Sequence, residues 1–262
     1  MPFQIHSDFR HTTHVVHGPK SIARLPQFFP DKAKVLIVTD KGLVQAGIAE
    51  KVIAVLNDNN IPHALYDGAL PNPPAACVHA GQRLYAKAKC NALLALGGGS
   101  PMDVAKMIGV VANNGGRINE YLGSGNVKND IPPLVCIPTT YGTGSEVTPF
   151  AVLTNPKTQN KDPVISSKII PQVGILDPEL SVGLPAALGA STGMDALTHA
   201  IESYTNLLAG PITDGLALHA IQLIGENLRL AVANDYELAA TENMLVASML
   251  AGMAFAQTRL GN

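Results

Sequence analysis

The feature that most constrains this chain is the alternation, up to Pro138, of short unbroken apolar runs with longer amphipathic stretches. KVLIVTD (34–40), HALYD (63–67), ALLAL (92–96) and LVCIP (134–138) read as strands. They lack the in-and-out alternation of a half-exposed sheet, so both faces of each are expected against protein. Between them, 43–56, 75–89 and 102–112 carry helical apolar spacing. Strands buried on both sides and linked through helices make a parallel sheet covered by helices, an α/β arrangement.

Past Pro138 the pattern changes. The stretches 148–153 and 163–176 are short strand-like runs interrupted by Asn, Pro and Lys, and irregular β structure is expected there. From about Leu184 the chain is almost wholly helical in pattern, with helices expected at 186–208, 213–232 and 237–259 and punctuation at Gly-Pro and Asn-Asp. This predicts an N-terminal α/β domain at 1–183 followed by an all-helical domain at 184–262.

With 262 residues and 47% hydrophobic content the chain can bury a substantial core. The formal net charge of −2 leaves no basic face to neutralise rows of phosphates, so nucleic acid is not an expected partner. Three cysteines without CxxC spacing point to reduced thiols and hence a cytoplasmic setting. The N-terminal stretch lacks the basic-then-apolar pattern of a secretory signal, and no run approaches the ~20 apolar residues of a bilayer span. No membrane partner is expected.

Two loops gather chemistry. Gly97, Gly98, Gly99 and Ser100 follow a predicted parallel strand and open a helix. Ligands collect beyond the carboxyl ends of such strands, where a helix N-terminus offers unpaired N–H groups and partial positive charge. A diphosphate suits that field, with Ser100 or Asp103 capping the helix or touching the ligand. The same glycines also suit a tight turn, and the loop is neither GxGxxG nor a Walker motif. The second loop, PTTYGTGSE, concentrates Thr139, Thr140, Thr143 and Ser145 at the end of another buried strand. It reads either as a second polar wall or as an ordinary turn. Asp40 closes the first strand; it can accept from adenosine ribose hydroxyls and repel a 2′-phosphate, favouring NAD over NADP, or simply cap the next helix.

Asp195 and His199 lie four residues apart in a predicted helix and share one face. An oxygen and an imidazole nitrogen so placed suit iron, zinc or manganese, although a stable site normally takes three or four donors and a simple contact between the two explains the spacing as well. His6, His11, His14 and His17 cluster near an N-terminal strand and read as solvated; His63, His79 and His219 occur singly and read as satisfied surface or core residues.

Taken together, VTDKG, LPNPP, GGGSPMDVAK, IPTTYGTGSE, ILDPEL and GMDALTHAIESY occur in the order and rough spacing of the iron-dependent (group III) alcohol dehydrogenases, which the chain resembles over essentially its whole length. The resemblance implies a dinucleotide-binding α/β domain, a helical metal-binding domain and an active site in the cleft between them. It implies NAD as cofactor, held by Asp40, Asn72, Gly97, Gly98, Gly99, Ser100, Thr139, Thr140, Thr143 and Ser145, with Asp103 grouped with them and Lys161 near the nicotinamide ribose. Asp195 and His199 match the first two ligands of a divalent metal, iron foremost, with zinc or manganese also suited. The implied chemistry is metal-assisted hydride transfer between a small alcohol or diol and its aldehyde or ketone, in a homo-oligomer, by default a dimer.

The family's third and fourth ligands are histidines of a later segment that opens with a GxxHxxxH pattern and closes with PHG, and this sequence ends at Asn262 where that segment would start. A C-terminally truncated member is therefore expected. It is either an active NAD-linked alcohol dehydrogenase or a catalytically silent chain that keeps dinucleotide binding or an oligomer-forming role. A lyase of the related dehydroquinate synthase type is a third reading. Truncation also predicts exposed apolar faces along 244–255.

Overall fold

The computed structural model describes residues 9–155, 158–233 and 237–260; His6 lies outside them. The elements run β1 (His14–His17), β2 (Val35–Val38), α1 (Lys41–Gln45), α2 (Ile48–Asp58), β3 (His63–Tyr66), α3 (Ala75–Ala88), β4 (Ala92–Gly97), α4 (Gly99–Asn114), β5 (Gly123–Ser124), β6 (Leu134–Pro138), β7 (Phe150–Thr154), β8 (Lys161–Ile165) and β9 (Val173–Leu176). Three long helices follow: α5 (Ala186–Tyr204), α6 (Pro211–Ala233) and α7 (Leu238–Thr258).

Six strands form one sheet in the order β1-β9-β6-β4-β2-β3, and every pair in it is parallel. Side chains alternate between two cores because successive residues of a strand point to opposite faces. Val35, Ile37, Leu94, Leu96, Val135 and Ile137 pack into one, under α2, while Leu36, Val38, Leu93, Ala95, Leu134 and Cys136 enter the other, under α3 and α4. The expected α/β class with a parallel sheet and a helical C-terminal part is what the chain forms.

After β2 the chain adds β3 on one side, then returns through α3 to place β4 on the other side of β2. The order reverses between β2 and β4, and the crevice beyond their carboxyl ends is where open α/β sheets bind ligands. A small second sheet, β5-β8-β7, flanks this crevice; β7 and β8 are antiparallel. The run expected as one strand-like stretch at 163–176 is in fact two strands of different sheets, β8 and β9, separated by a single turn of 3-10 helix at Ser167–Ile169.

Helices α5, α6 and α7 pack pairwise on one another, and α7 also touches β9. The expected exposure of 244–255 does not occur: Met244 is 0% exposed, and Leu245, Met249 and Phe255 are buried as well. Helix α7 is the centre of the helical part, so its apolar residues face α5, α6 and the sheet on all sides. Large apolar side chains are exposed on α5 and α6 instead, among them Leu188, Met194, Ile201, Leu218 and Leu230. By length and mean hydropathy α7 is long and apolar enough to cross a bilayer, although Thr241, Glu242, Asn243 and Ser248 interrupt its apolar run and most of it is buried inside this fold.

Candidate functional site

The carboxyl ends of β6, β4 and β2 set Thr139, Gly97–Gly98 and Asp40 side by side, one strand spacing apart, about 4.8 Å per step. The backbone N–H of Thr139 donates to Gly97 O at 3.1 Å. Asp40 caps α1, its carboxylate accepting from Leu43 N at 3.1 Å. The two polar loops are in contact. A Cβ at Gly98 would stand 3.0 Å from Thr140 Oγ1, and one at Gly99 would stand 2.9 Å from Thr143 Cγ2. Gly97 has φ of +144°, a conformation that L side chains rarely adopt.

Helix α4 begins at Gly99 with Gly98 as its N-cap and no side chain capping it. Its first-turn amides are therefore without intrahelical or side-chain acceptors at the mouth of the crevice, the arrangement that suits phosphate oxygens.

The second loop is pinned against the helical part. A Cβ at Gly144 would come within 2.7 Å of Gly252 Cα on α7, and one at Gly142 within 2.8 Å of Thr192 O on α5. Such close approach brings Gly142 O to 3.1 Å from His199 Nδ1. A carbonyl only accepts, so in the neutral ring Nδ1 carries the proton and Nε2 keeps its lone pair. Nε2 lies 3.6 Å from Asp195 Oδ1. Two donors each ~2.1 Å from one ion at a tetrahedral angle are about 3.4 Å apart, so the pair fits a shared divalent ion. Phe255 braces the imidazole, with ring centroids 4.7 Å apart. Among the described residues no cluster of three or more His, Cys, Asp or Glu side chains suits a metal. His17 is engaged elsewhere, its Nδ1 2.8 Å from Glu242 Oε1.

A cleft of about 580 Å³ joins these parts. Asn72, Gly99, Ser100, Asp103, Thr143, Ser145, Lys161, Asp195 and His199 all line it, together with Phe150, Val152 and Phe255. Asn72 reaches it in the left-handed conformation, with φ of +51°. Of the remaining expected residues, Asp40, Gly97, Gly98 and Thr140 sit at the strand ends beside it, and Thr139 is buried beneath.

Two expected cofactor residues face inward. Ser145 Oγ donates to Asp103 Oδ1 at 3.0 Å and accepts from Lys106 Nζ at 3.0 Å, while Asp103 Oδ2 accepts from Val152 N at 3.1 Å. Burial pushes the Asp103 carboxyl up to about 6, against the opposing pull of the Lys106 ammonium. Glu146, also buried, is pushed up to about 7 for the same reason, and desolvation lowers the Lys106 ammonium. Sequence reasoning missed Lys106. The signal was present: MDVAKMIGVV has no polar face apart from Asp103 and Lys106, so both charges had to be buried and paired.

Residues 12–178 match the sequence family described as iron-containing alcohol dehydrogenase, and 189–262 match the C-terminal part of the Fe-containing alcohol dehydrogenase family. Over 230 residues the chain is 46% identical to a 1,3-propanediol dehydrogenase of Klebsiella pneumoniae, covering 87% of this chain and 59% of that protein. It is also 46% identical over 238 residues to an NAD-dependent methanol dehydrogenase of Bacillus methanolicus, covering 91% and 62%. The crystal structure of a 1,3-propanediol oxidoreductase superposes with a TM-score of 0.93 at 42% identity, over 98% of this chain and 68% of that one. The chain thus spans about three fifths of the length of these curated relatives. Matched along nearly all of its length and sharing their fold, the chain belongs to the iron-containing alcohol dehydrogenase family.

Proposed function

We propose that this chain supplies the dinucleotide-binding part, and the first half of the metal site, of an NAD-linked, metal-dependent alcohol dehydrogenase acting on a small alcohol or diol and its aldehyde or ketone. One observation carries the reading: a single cleft has the uncapped N-terminus of α4 along its wall and the Asp195–His199 pair within it. Residues 1–183 form the cofactor unit and 184–262 the beginning of the metal-binding unit.

In this reading Asp40 accepts from the adenosine ribose, and Gly97, Gly98, Gly99, Ser100, Thr139, Thr140 and Thr143 bind the diphosphate with amides and hydroxyls. Asn72 and Lys161 face the nicotinamide end, while Asp103 and Ser145 hold the wall between. His199 Nε2 and Asp195 Oδ1 hold the divalent ion. When bound, the ion supplies a Lewis acid for the substrate oxygen and NAD the hydride acceptor. The chain's own work is to orient both partners and exclude water, with Phe150, Val152 and Phe255 as the apolar walls. Buried free thiols at Cys77, Cys90 and Cys136 support a cytoplasmic setting, and the apolar residues exposed on α5 and α6 support association into a homo-oligomer, a dimer first.

A second reading, a silent chain that binds dinucleotide only, is favoured by the count of two metal donors among the described residues. Separate titrations of NADH and of Fe²⁺ or Zn²⁺ into the 262-residue chain, followed by an assay for alcohol-dependent NADH formation, distinguish the two. NADH binding with metal uptake, with or without turnover, supports the first; NADH binding without metal uptake or turnover supports the second; no NADH binding at millimolar concentration removes both.

A further inference from the structure

Among the described residues strand β7 is an edge strand, paired with β8 alone, so its outer row of N–H and C=O groups faces no neighbouring strand there. Part of that row, with Thr148 O just before it, is nevertheless taken up from the other side. Lys106 Nζ donates to Thr148 O at 2.9 Å and to Phe150 O at 2.7 Å, Asp103 Oδ2 takes Val152 N at 3.1 Å, and Pro73 O takes Thr154 N at 3.0 Å. Asp103 and Lys106, three residues apart on one face of α4, thus substitute for a missing strand. Ser145 Oγ links the two by donating to Asp103 and accepting from Lys106. Thr148, Phe150, Val152 and Thr154 all line the cleft, and β8 behind them carries Lys161.

Lys106 itself is 0% exposed and absent from the cleft lining. Burying an ammonium is costly unless all its protons are satisfied, and here Ser145 Oγ, Thr148 O and Phe150 O accept at 3.0 Å or less, with Thr148 Oγ1 a fourth acceptor at 3.4 Å. Such a cost is repaid only locally, along the wall that Lys106 holds.

We propose that Lys106 is a positioning residue: by clamping β7 to α4 it fixes the Lys161-bearing wall relative to the phosphate loop, so that both halves of a dinucleotide are gripped at once. The inference rests on the dinucleotide reading of the cleft. Its signature is selective. Loss of the clamp leaves the α4 N-terminus and strand ends intact, so the adenosine diphosphate half keeps its site while the nicotinamide half loses its own.

The test is titration of NADH and of ADP into the wild-type chain, Lys106→Met and Ser145→Ala, with near-UV circular dichroism reporting the fold. Lys106→Met is expected to weaken NADH about tenfold or more while ADP changes by about twofold at most, as misplacement of one binding wall predicts. Ser145→Ala removes the link between the two charges and keeps both carbonyl contacts, so a smaller loss, selective in the same sense, is expected. If Lys106→Met does not fold, Lys106→Gln, which keeps a polar head at the same buried position but not all of its donors, decides by the same comparison. Equal losses for the two ligands, or none, in a folded variant overturn the inference while leaving the cleft assignment standing. A wild-type chain that binds neither ligand overturns the cleft assignment and the inference together.

Discussion

His199 donates its Nδ1 proton to Gly142 O at 3.1 Å, a bond between helix α5 and the loop that follows β6. The geometry of a candidate metal ligand is thereby set by a loop at the carboxyl edge of the sheet. The same loop meets the phosphate loop through Thr140 and Thr143, so the metal end and the cofactor end of the cleft share one backbone segment.

Metal affinity is expected to depend on that bond as well as on the ligands. His199→Ala and Asp195→Asn should each weaken Zn²⁺ or Fe²⁺ binding. Gly142→Ala keeps both ligands but places a methyl 2.8 Å from Thr192 O. The carbonyl must then shift, and a loss of about tenfold to a hundredfold is expected from the disturbed orienting contact. Calorimetric titration checks this, and unchanged affinity in His199→Ala removes the metal assignment.

The contact between the two loops gives a compensating pair. Gly99→Ala puts a Cβ 2.9 Å from Thr143 Cγ2. Relief requires the loops to part, at about 1–3 kcal/mol, and NADH affinity should fall with it. Thr143→Ser deletes that methyl and keeps the hydroxyl that accepts from Ser145 N. The double substitution should therefore recover part of the lost affinity in fluorescence titrations; a purely additive outcome places the clash elsewhere.

Most of the sheet was legible because its strands are buried on both faces. LVCIP is β6 to the residue, and 75–89 differs from α3 by one position. What was missed depended on tertiary contacts or local backbone. The apolar spacing at 43–56 runs through Gly47, yet that residue takes φ of +71° and separates α1 from α2. The helix expected at 186–208 stops at Tyr204, where Thr205 ends the helix and the Asn206 side chain accepts from Leu208 N. Apolar content identified α7 but not its central position, because a helix with apolar residues on every side has no periodicity to mark which face is covered. Among candidate site residues, the sequence pattern put the Gly-rich loop at a strand end and Asp195 and His199 on one helix face, while their assignment to cofactor and metal came from the family resemblance. Lys106 and Gly142 O did not, since one acts on backbone groups more than forty residues away and the other is itself backbone.

Buried Glu146 makes the pH dependence of stability informative. Burial raises its carboxyl from 4.5 to about 7, with Lys106 the charged neighbour that opposes the rise and Asp103, itself raised to about 6, beside the same ammonium. Between these values the folded state holds a proton that the unfolded state has released. The Glu146 contribution is therefore most favourable below about pH 4.5 and is lost as pH rises to 7. Relative to Glu146→Gln, the wild-type chain should lose on the order of 1–3 kcal/mol across that window. Urea unfolding at several pH values measures the difference, and parallel profiles for the two proteins contradict it.

Asp40 combines a structural task with the recognition assigned to it, and the two can be separated. Its carboxylate caps α1 through Leu43 N at 3.1 Å, and serine caps a helix about as well as aspartate. Asp40→Ser should thus leave the unfolding temperature nearly unchanged. It also removes the negative charge at the end of β2, beside the crevice where the order of strands reverses. A ribose 2′-phosphate is then no longer repelled, so the ratio of NADPH to NADH affinity should rise by about tenfold or more, equivalent to roughly 1.4 kcal/mol of lost discrimination. Competitive titration of the two nucleotides reads the ratio directly. If the ratio stays fixed while stability drops, Asp40 serves the helix alone and the adenosine end of the cofactor lies away from β2.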